Sequence, residues 1–200
     1  MSESRPIRLP AADFNGRLLP TVVLKNWNGL RVHSIPRRAV QFRLIPSHRF
    51  SHPDASEGLI YLAEDLETCL WESFGDAILN PGSLIPRSQW MNKRVSEIQI
   101  KENLKVVDLT ETKTRSALKV DLSALKHTDL EVPQAWGLAI QNHPAQVDGF
   151  YYNSRFTNER CLVLFDRKGM SSNLKSKKMG DLSDLQAASL FLDENDIALV

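Results

Sequence analysis

The chain reads as an α+β domain, and three observations support this. Short apolar runs such as LIYLA (59–63), VSEIQI (95–100) and CLVLFD (161–166) have the length and composition of strands. Residues 66–78 and 132–143 instead carry apolar side chains at helical spacing. The two kinds follow one another without the regular alternation that builds a parallel sheet. A chain of 200 residues with no internal repeat fits one domain, residues 29–200, preceded by an arm, residues 1–28.

The elements follow in order. The arm holds Pro6, Pro10 and Pro20 in mixed polarity and is expected to wrap the domain. GLRVHSI (29–35) is β-prone and stopped by Pro36, which suits an edge or early strand. Residues 37–58 are broken by Pro46, Pro53 and Gly58 and read as loop. After the strand at 59–63, Asp65 caps a helix, and Glu67 lies in its first turn, where the helix dipole favours negative charge. Leu66, Leu70, Phe74, Ala77 and Ile78 form its apolar stripe, and Asn80-Pro81-Gly82 ends it. Glu72 falls away from the centre of that stripe, so it faces solvent or a cleft wall.

Strands are expected next at 95–100 and 104–109, then helices over 113–126 and 132–143. The second of these helices has Val132, Ala135, Trp136, Ala139 and Ile140 on one side. Strands at 147–154 and 161–166 flank a polar loop, SSNLKSKKMGD (171–181) reads as a polar, Lys-rich connector, and a short helix and the strand IALV close the chain.

Composition excludes several functions. Hydrophobic content of 42% with 24% charge is that of a folded domain, and a formal charge of +1 gives no global attraction to nucleic acid or acidic membranes. The N-terminus lacks the apolar core of a signal peptide and no run approaches the ~20 residues of a membrane span, so a cytoplasmic protein is expected. Cys69 and Cys161 sit among apolar neighbours and read as buried thiols, in keeping with a reducing compartment. No Gly-rich phosphate loop is present. Two cysteines cannot build a structural zinc site, and Pro53 breaks the helix that would align His48 with His52, so no metal centre is expected. Lys175, Lys177 and Lys178 read as solvated.

What remains is a set of polar residues far apart in order: Arg31, Arg49, Tyr61, Glu72 and Ser154. Arg31 lies on a short strand and Arg49 precedes Phe50 in a breaker-rich loop. Tyr61 shares a strand face with Leu59, whereas Ile60 and Leu62 share the other. In this combination the sequence resembles the RES-domain family, named for an arginine, a glutamate and a serine. The resemblance covers residues 29–166 and rests on Arg49-Phe50 before a Pro-containing loop, on YLA with Glu72 eleven residues after Tyr61, and on DGFYYNSR (148–155) before CLVLFD. Two features depart from the family: His48 stands where a Gly often precedes the second arginine, and the arm is longer than in small members.

The resemblance implies an ADP-ribosyltransferase-like mixed sheet with flanking helices, and an enzyme that consumes NAD as substrate rather than holding it as a prosthetic group. It implies transfer of ADP-ribose to inorganic phosphate, to water or to a protein, and for many members a toxin restrained by a helix-turn-helix antitoxin. Arg31 and Arg49 would hold the phosphates or the adjacent ribose, because a guanidinium offers a planar fork that lysine lacks. Tyr61 would stack on nicotinamide. Glu72 would bind ribose hydroxyls and stabilise the positive ring that forms, as in glycoside cleavage. Ser154 would orient Glu72 or a substrate hydroxyl. A module that binds NAD or a protein partner without turnover is the alternative, and the arm also offers a surface for a homodimer.

Overall fold

Along Leu59–Ala63, residues 59, 61 and 63 alternate with Ile60 and Leu62, and each set packs into a different core. That alternation runs through a mixed sheet, because helices cover one face and loops and a short helix the other. The computed structural model describes residues 8–79, 82 and 84–200. Its strands are β1 (Val22–Leu24), β2 (Asn28–Ser34), β3 (Leu59–Ala63), β4 (Leu84–Ile85), β5 (Lys93–Ile100), β6 (Leu104–Asp108), β7 (Gly149–Asn153), β8 (Arg160–Phe165), β9 (Leu174–Asp181) and β10 (Ala198–Leu199). The helices are α1 (Leu66–Ile78), α2 (Arg87–Met91), α3 (Thr112–Leu118), α4 (Leu122–Leu125), α5 (Glu131–Gln141), α6 (Met170–Asn173) and α7 (Gln186–Glu194).

Eight strands pair in the order β1-β6-β7-β8-β3-β2-β5-β9, and β4 and β10 form a separate parallel pair. Within the large sheet only β6 and β7 run parallel. On one face Phe150, Tyr152, Val163 and Phe165 pack with Trp136 and Ile140 of α5. On the other, Ile60, Leu62, Tyr151, Leu162 and Leu164 pack with Met170 and Leu174. The stripe on α1 buries Leu70, Phe74 and Ile78 against Trp90, Phe191 and Ile197. From the arm, Phe14 and Leu19 enter the first core, and β1 adds an edge strand to β6.

Asp65 caps α1, accepting from the Thr68 amide at 2.7 Å. The helix ends at Ile78 with Leu79 as its C-cap; Asn80 and Pro81, like Pro6 in the arm, lie outside the described residues. Two readings of the sequence need correction. The stretch read as a connector at 171–181 is the end of α6 followed by strand β9, paired with β5 from Arg94 to Ile100. Its side chains from Lys175 to Met179 are all exposed, so no alternation signals it, and edge lysines are a common guard against further pairing. The single helix expected over 113–126 is two short ones, because Lys119 turns left-handed (φ 57) and Asp121 caps a new start on the Ser123 amide.

The feature that positions the site is a split in the sheet. Strands β2 and β3 pair only at Leu30 and Ala63. Beyond that point residues 31–34 keep β5 as partner on one side, while Leu59–Leu62 keep β8 on the other. The Val32 amide, turned into the split, donates to Sγ of Cys69 on α1 at 3.2 Å.

The long loop at 37–58 is held against α5 by backbone contact. A Cβ on Gly137 would lie 2.5 Å from the Phe50 carbonyl oxygen, closer than side chains allow. The buried Gln134 amide donates to the carbonyls of Pro46 and His48 at 2.6 and 3.0 Å. Gly137→Ala is therefore expected to lower stability by about 1–3 kcal/mol, the usual cost of overpacking. Urea denaturation checks it; an unchanged midpoint would mean that the loop does not rest on α5.

Candidate active site

The split opens into a cavity of about 520 Å³ whose walls include Arg31, Arg49, Tyr61, Glu72 and Tyr152. Four of the five residues singled out in the sequence thus share one hollow. The fifth, Ser154, lies directly behind it, fully buried, in contact with Glu72.

Glu72 is held by one hydroxyl on each oxygen. Ser154 Oγ donates to Oε1 at 2.7 Å and the Tyr152 phenol donates to Oε2 at 3.0 Å. Both donors come from the end of β7, where period-two alternation turns residues 152 and 154 to the same side. Ser154 Oγ in turn accepts from the Phe156 and Thr157 amides at 3.2 and 3.4 Å. With its proton given to Glu72 and its oxygen occupied, Ser154 fixes the direction of the Glu72 carboxylate. Burial, and then the Glu72 charge, push the Tyr152 phenol well above its ordinary value, so it stays a protonated donor.

The loop behind Glu72 is tied to α1. Thr68 and Thr157 hydroxyls meet at 2.9 Å, and Arg155 pairs with Asp76. A Cβ on Gly75 would lie 2.5 Å from the Phe156 ring, so only glycine at this turn of α1 lets Phe156 and Ser154 approach.

Arg49 and Tyr61 form a linked pair. The Tyr61 oxygen accepts from the Phe50 amide at 3.2 Å, and Arg49 Nη1 donates to the carbonyls of His127 and Leu125 at 2.9 and 3.4 Å. One nitrogen is spent on the protein, which leaves the rest of the fork for the cavity. Burial lowers the Arg49 pKa, and neighbouring Arg155 lowers it further while Glu72 opposes. Across the split, Arg31 Nη1 donates to the carbonyls of Ala39 and Gln41 at 2.5 and 3.1 Å. Burial brings Arg31 down to about 10, which still leaves it cationic at neutral pH.

Cys69 and Cys161 are buried free thiols in the cavity wall. Burial pushes Cys69 up to about 12 and raises Cys161 too, so both are neutral packing groups rather than nucleophiles. His48 stands at the mouth, edge-on to Tyr61 with ring centres 5.5 Å apart. Its φ is not positive, so no glycine is required at this position.

Such an arrangement can hold an anionic ligand by arginine, offer it an aromatic wall, and set a fixed carboxylate beside any positive charge that develops. Residues 30–182 match the family model described as the RES domain. The chain belongs to the RES-domain family. It is accordingly an enzyme of the NAD-consuming class that this family comprises. No curated protein matches the chain. Among solved structures, the crystal structure of the M. tuberculosis MbcT–MbcA toxin–antitoxin complex contains a chain with the same fold. The TM-score is 0.63 at 19% identity, covering 86% of this chain and 91% of that one. The RES fold here is the mixed α+β architecture expected from the sequence.

The sequence reading missed Tyr152, although its place two residues before Ser154 on a strand was a usable signal. It also missed the further cations of the wall, which come from loops and strand ends with no pattern of their own. No cluster of metal-ligating side chains occurs among the described residues.

His33 is also in the wall, and its burial predicts a stability that depends on pH. Its Nδ1 lies 3.0 Å from the Ser34 carbonyl and its Nε2 2.9 Å from Ser96 Oγ, a pattern that fits the neutral ring with Nδ1 protonated. Burial lowers its pKa below 6.5, so the unfolded chain takes up the proton first as pH falls. Stability is retained above about 6.5 and lost as pH drops toward the folded value. Urea midpoints measured between pH 7.5 and 5 should fall, and His33→Gln should flatten the slope; an equal slope in the variant would assign the effect elsewhere.

Proposed function

We propose that this RES-domain protein cleaves the nicotinamide–ribose bond of NAD and passes ADP-ribose to inorganic phosphate or water. The observation that carries the reading is the Glu72 carboxylate, held at both oxygens inside a cation-lined cavity. In the reaction the C–N bond breaks, its electron pair leaves with nicotinamide as a neutral base, and positive charge appears on the ribose ring. An acceptor oxygen then supplies the electron pair for the new C–O bond.

Each residue has a part in that sequence. Arg31 and Arg49 hold the pyrophosphate or its ribose, Tyr61 lines the nicotinamide side, and Glu72 binds ribose hydroxyls and stabilises the ring cation. Ser154 and Tyr152 keep Glu72 in place, so little reorganisation is needed as charge develops. No strong general acid is required, because the leaving group departs uncharged.

The similarity to a chain from a toxin–antitoxin complex supports a toxin role with an antitoxin partner. That the antitoxin is of the helix-turn-helix kind and that the protein works in the cytoplasm are parts of the proposal that rest on the family resemblance. No helix among the described residues is long and apolar enough to cross a membrane.

The test is incubation of the purified protein with NAD, with and without phosphate, followed by product identification. Glu72→Ala should lower nicotinamide release by about 10²–10³-fold, the loss typical of a transition-state electrostatic partner. Ser154→Ala and Tyr152→Phe should each lower kcat more than they raise KM. A Glu72→Ala enzyme within about tenfold of the parent would remove Glu72 from the chemistry.

A further inference from the structure

The cavity holds more positive charge than a pyrophosphate requires. Besides Arg31 and Arg49, its wall includes Arg37, Arg38, Arg43 and Lys93. None of these four side chains forms an ion pair or donates a hydrogen bond among the described residues. Elsewhere arginines of the fold find carboxylates: Arg94 pairs with Asp181, Arg160 with Asp108 and Arg167 with Glu57. The carboxylates in the cavity wall, Glu72 and Asp76, are already engaged by Ser154 and Tyr152 and by Arg155.

Three of these cations surround Arg31: beyond burial, the charges of Arg43 and Arg37 lower its pKa, and Arg31 in turn lowers that of Lys93. Lys93 opens β5 directly opposite Ser34 of β2, and the Arg37 amide donates to the Ser34 carbonyl at 3.0 Å. Lys93 and Arg37 therefore flank the same turn. Arg43 is fixed on the other lip, its backbone bonded in both directions to Leu59 at 3.0 and 2.9 Å. Burial first, then Arg37 and Arg31, hold the Lys93 ammonium below its ordinary value. Like charges crowded without an anion cost stability. A bound anion would relieve that cost.

We propose that Arg37, Arg43 and Lys93 form a second anion subsite at the mouth of the cavity, which takes a terminal phosphate dianion in addition to the dinucleotide pyrophosphate. The inference rests on the NAD reading above for its first ligand. Each phosphate of a pyrophosphate diester carries one charge, whereas a phosphate monoester carries nearly two at neutral pH and presents three acceptor oxygens. Three cations with free donors match the second. Two ligands share that chemistry: free inorganic phosphate, as acceptor, and the 2′-phosphate of NADP.

Calorimetric titration of the full chain with NAD, NADP and inorganic phosphate separates them. The comparison uses Arg37→Gln/Lys93→Met, with Arg43→Gln as a second variant and Lys175→Met on the outer strand as control. A 2′-phosphate site predicts that the ratio of NADP to NAD affinity falls about tenfold in the double variant. A free-phosphate site predicts that phosphate affinity falls about tenfold relative to that of NAD. A uniform loss for all three ligands, or changes within about twofold for each, would overturn the subsite. Phosphate binding that needs Arg37 and Lys93, in a protein that neither binds nor turns over NAD, would defeat the NAD reading and leave the subsite standing.

Discussion

Strands β2 and β3 share a single residue pair, Leu30 with Ala63, and then separate. A sheet that parts in this way leaves backbone groups without a neighbouring strand, and such groups must be satisfied or left in contact with solvent. Here the Val32 amide finds the Cys69 sulfur, and the rest of the gap is lined with side chains that prefer a polar ligand. The parting is what creates the site. Arg31 stands on one lip, Tyr61 on the other, and α1 crosses above them carrying Glu72.

Two loops complete the cavity, and each is held by a close backbone approach that a glycine permits. Gly137 admits the Phe50 backbone against α5, which brings Arg49 to the cavity wall. Gly75 admits the Phe156 ring against α1, which brings Ser154 to Glu72. Glycine within a helix costs ~1 kcal/mol relative to alanine, and here that cost sets loops carrying site residues on rigid elements. The carboxylate gains a fixed direction in return.

Charge in the cavity is arranged asymmetrically. Tyr152 and Tyr61 are kept neutral by burial, so they act as a donor and a fixed ring rather than as added anions. The hydroxyls hold Glu72 in place without cancelling its charge, as guanidinium pairing would. Arginine and lysine line the rest of the cavity wall. A ligand that is anionic along its length and becomes positive at one carbon fits both ends of such a field, which is the charge pattern of NAD during loss of nicotinamide.

Local signals carried much of this protein in one dimension. Asp65 as a cap, the stripe of Leu70, Phe74 and Ile78, and the face shared by Leu59 and Tyr61 depend on residues within a few positions of one another. The placement of Glu72 off that stripe followed from helical geometry alone. Strand β9 was not legible, because its exposed lysines show no alternation and its only reason to be a strand is the open edge of β5. The break between α3 and α4 was missed because Asp121 is compatible with both a helix and a cap. Tyr152 could have been read from its spacing to Ser154, but its bond to Glu72 spans 80 residues. Sequence by itself determined most of the elements and the kinds of chemistry available, since propensity, capping and periodicity are short-range. Only tertiary structure decided which cations meet at Ser34 and which hydroxyls reach Glu72, since these contacts arise where the sheet parts and distant loops close over the gap.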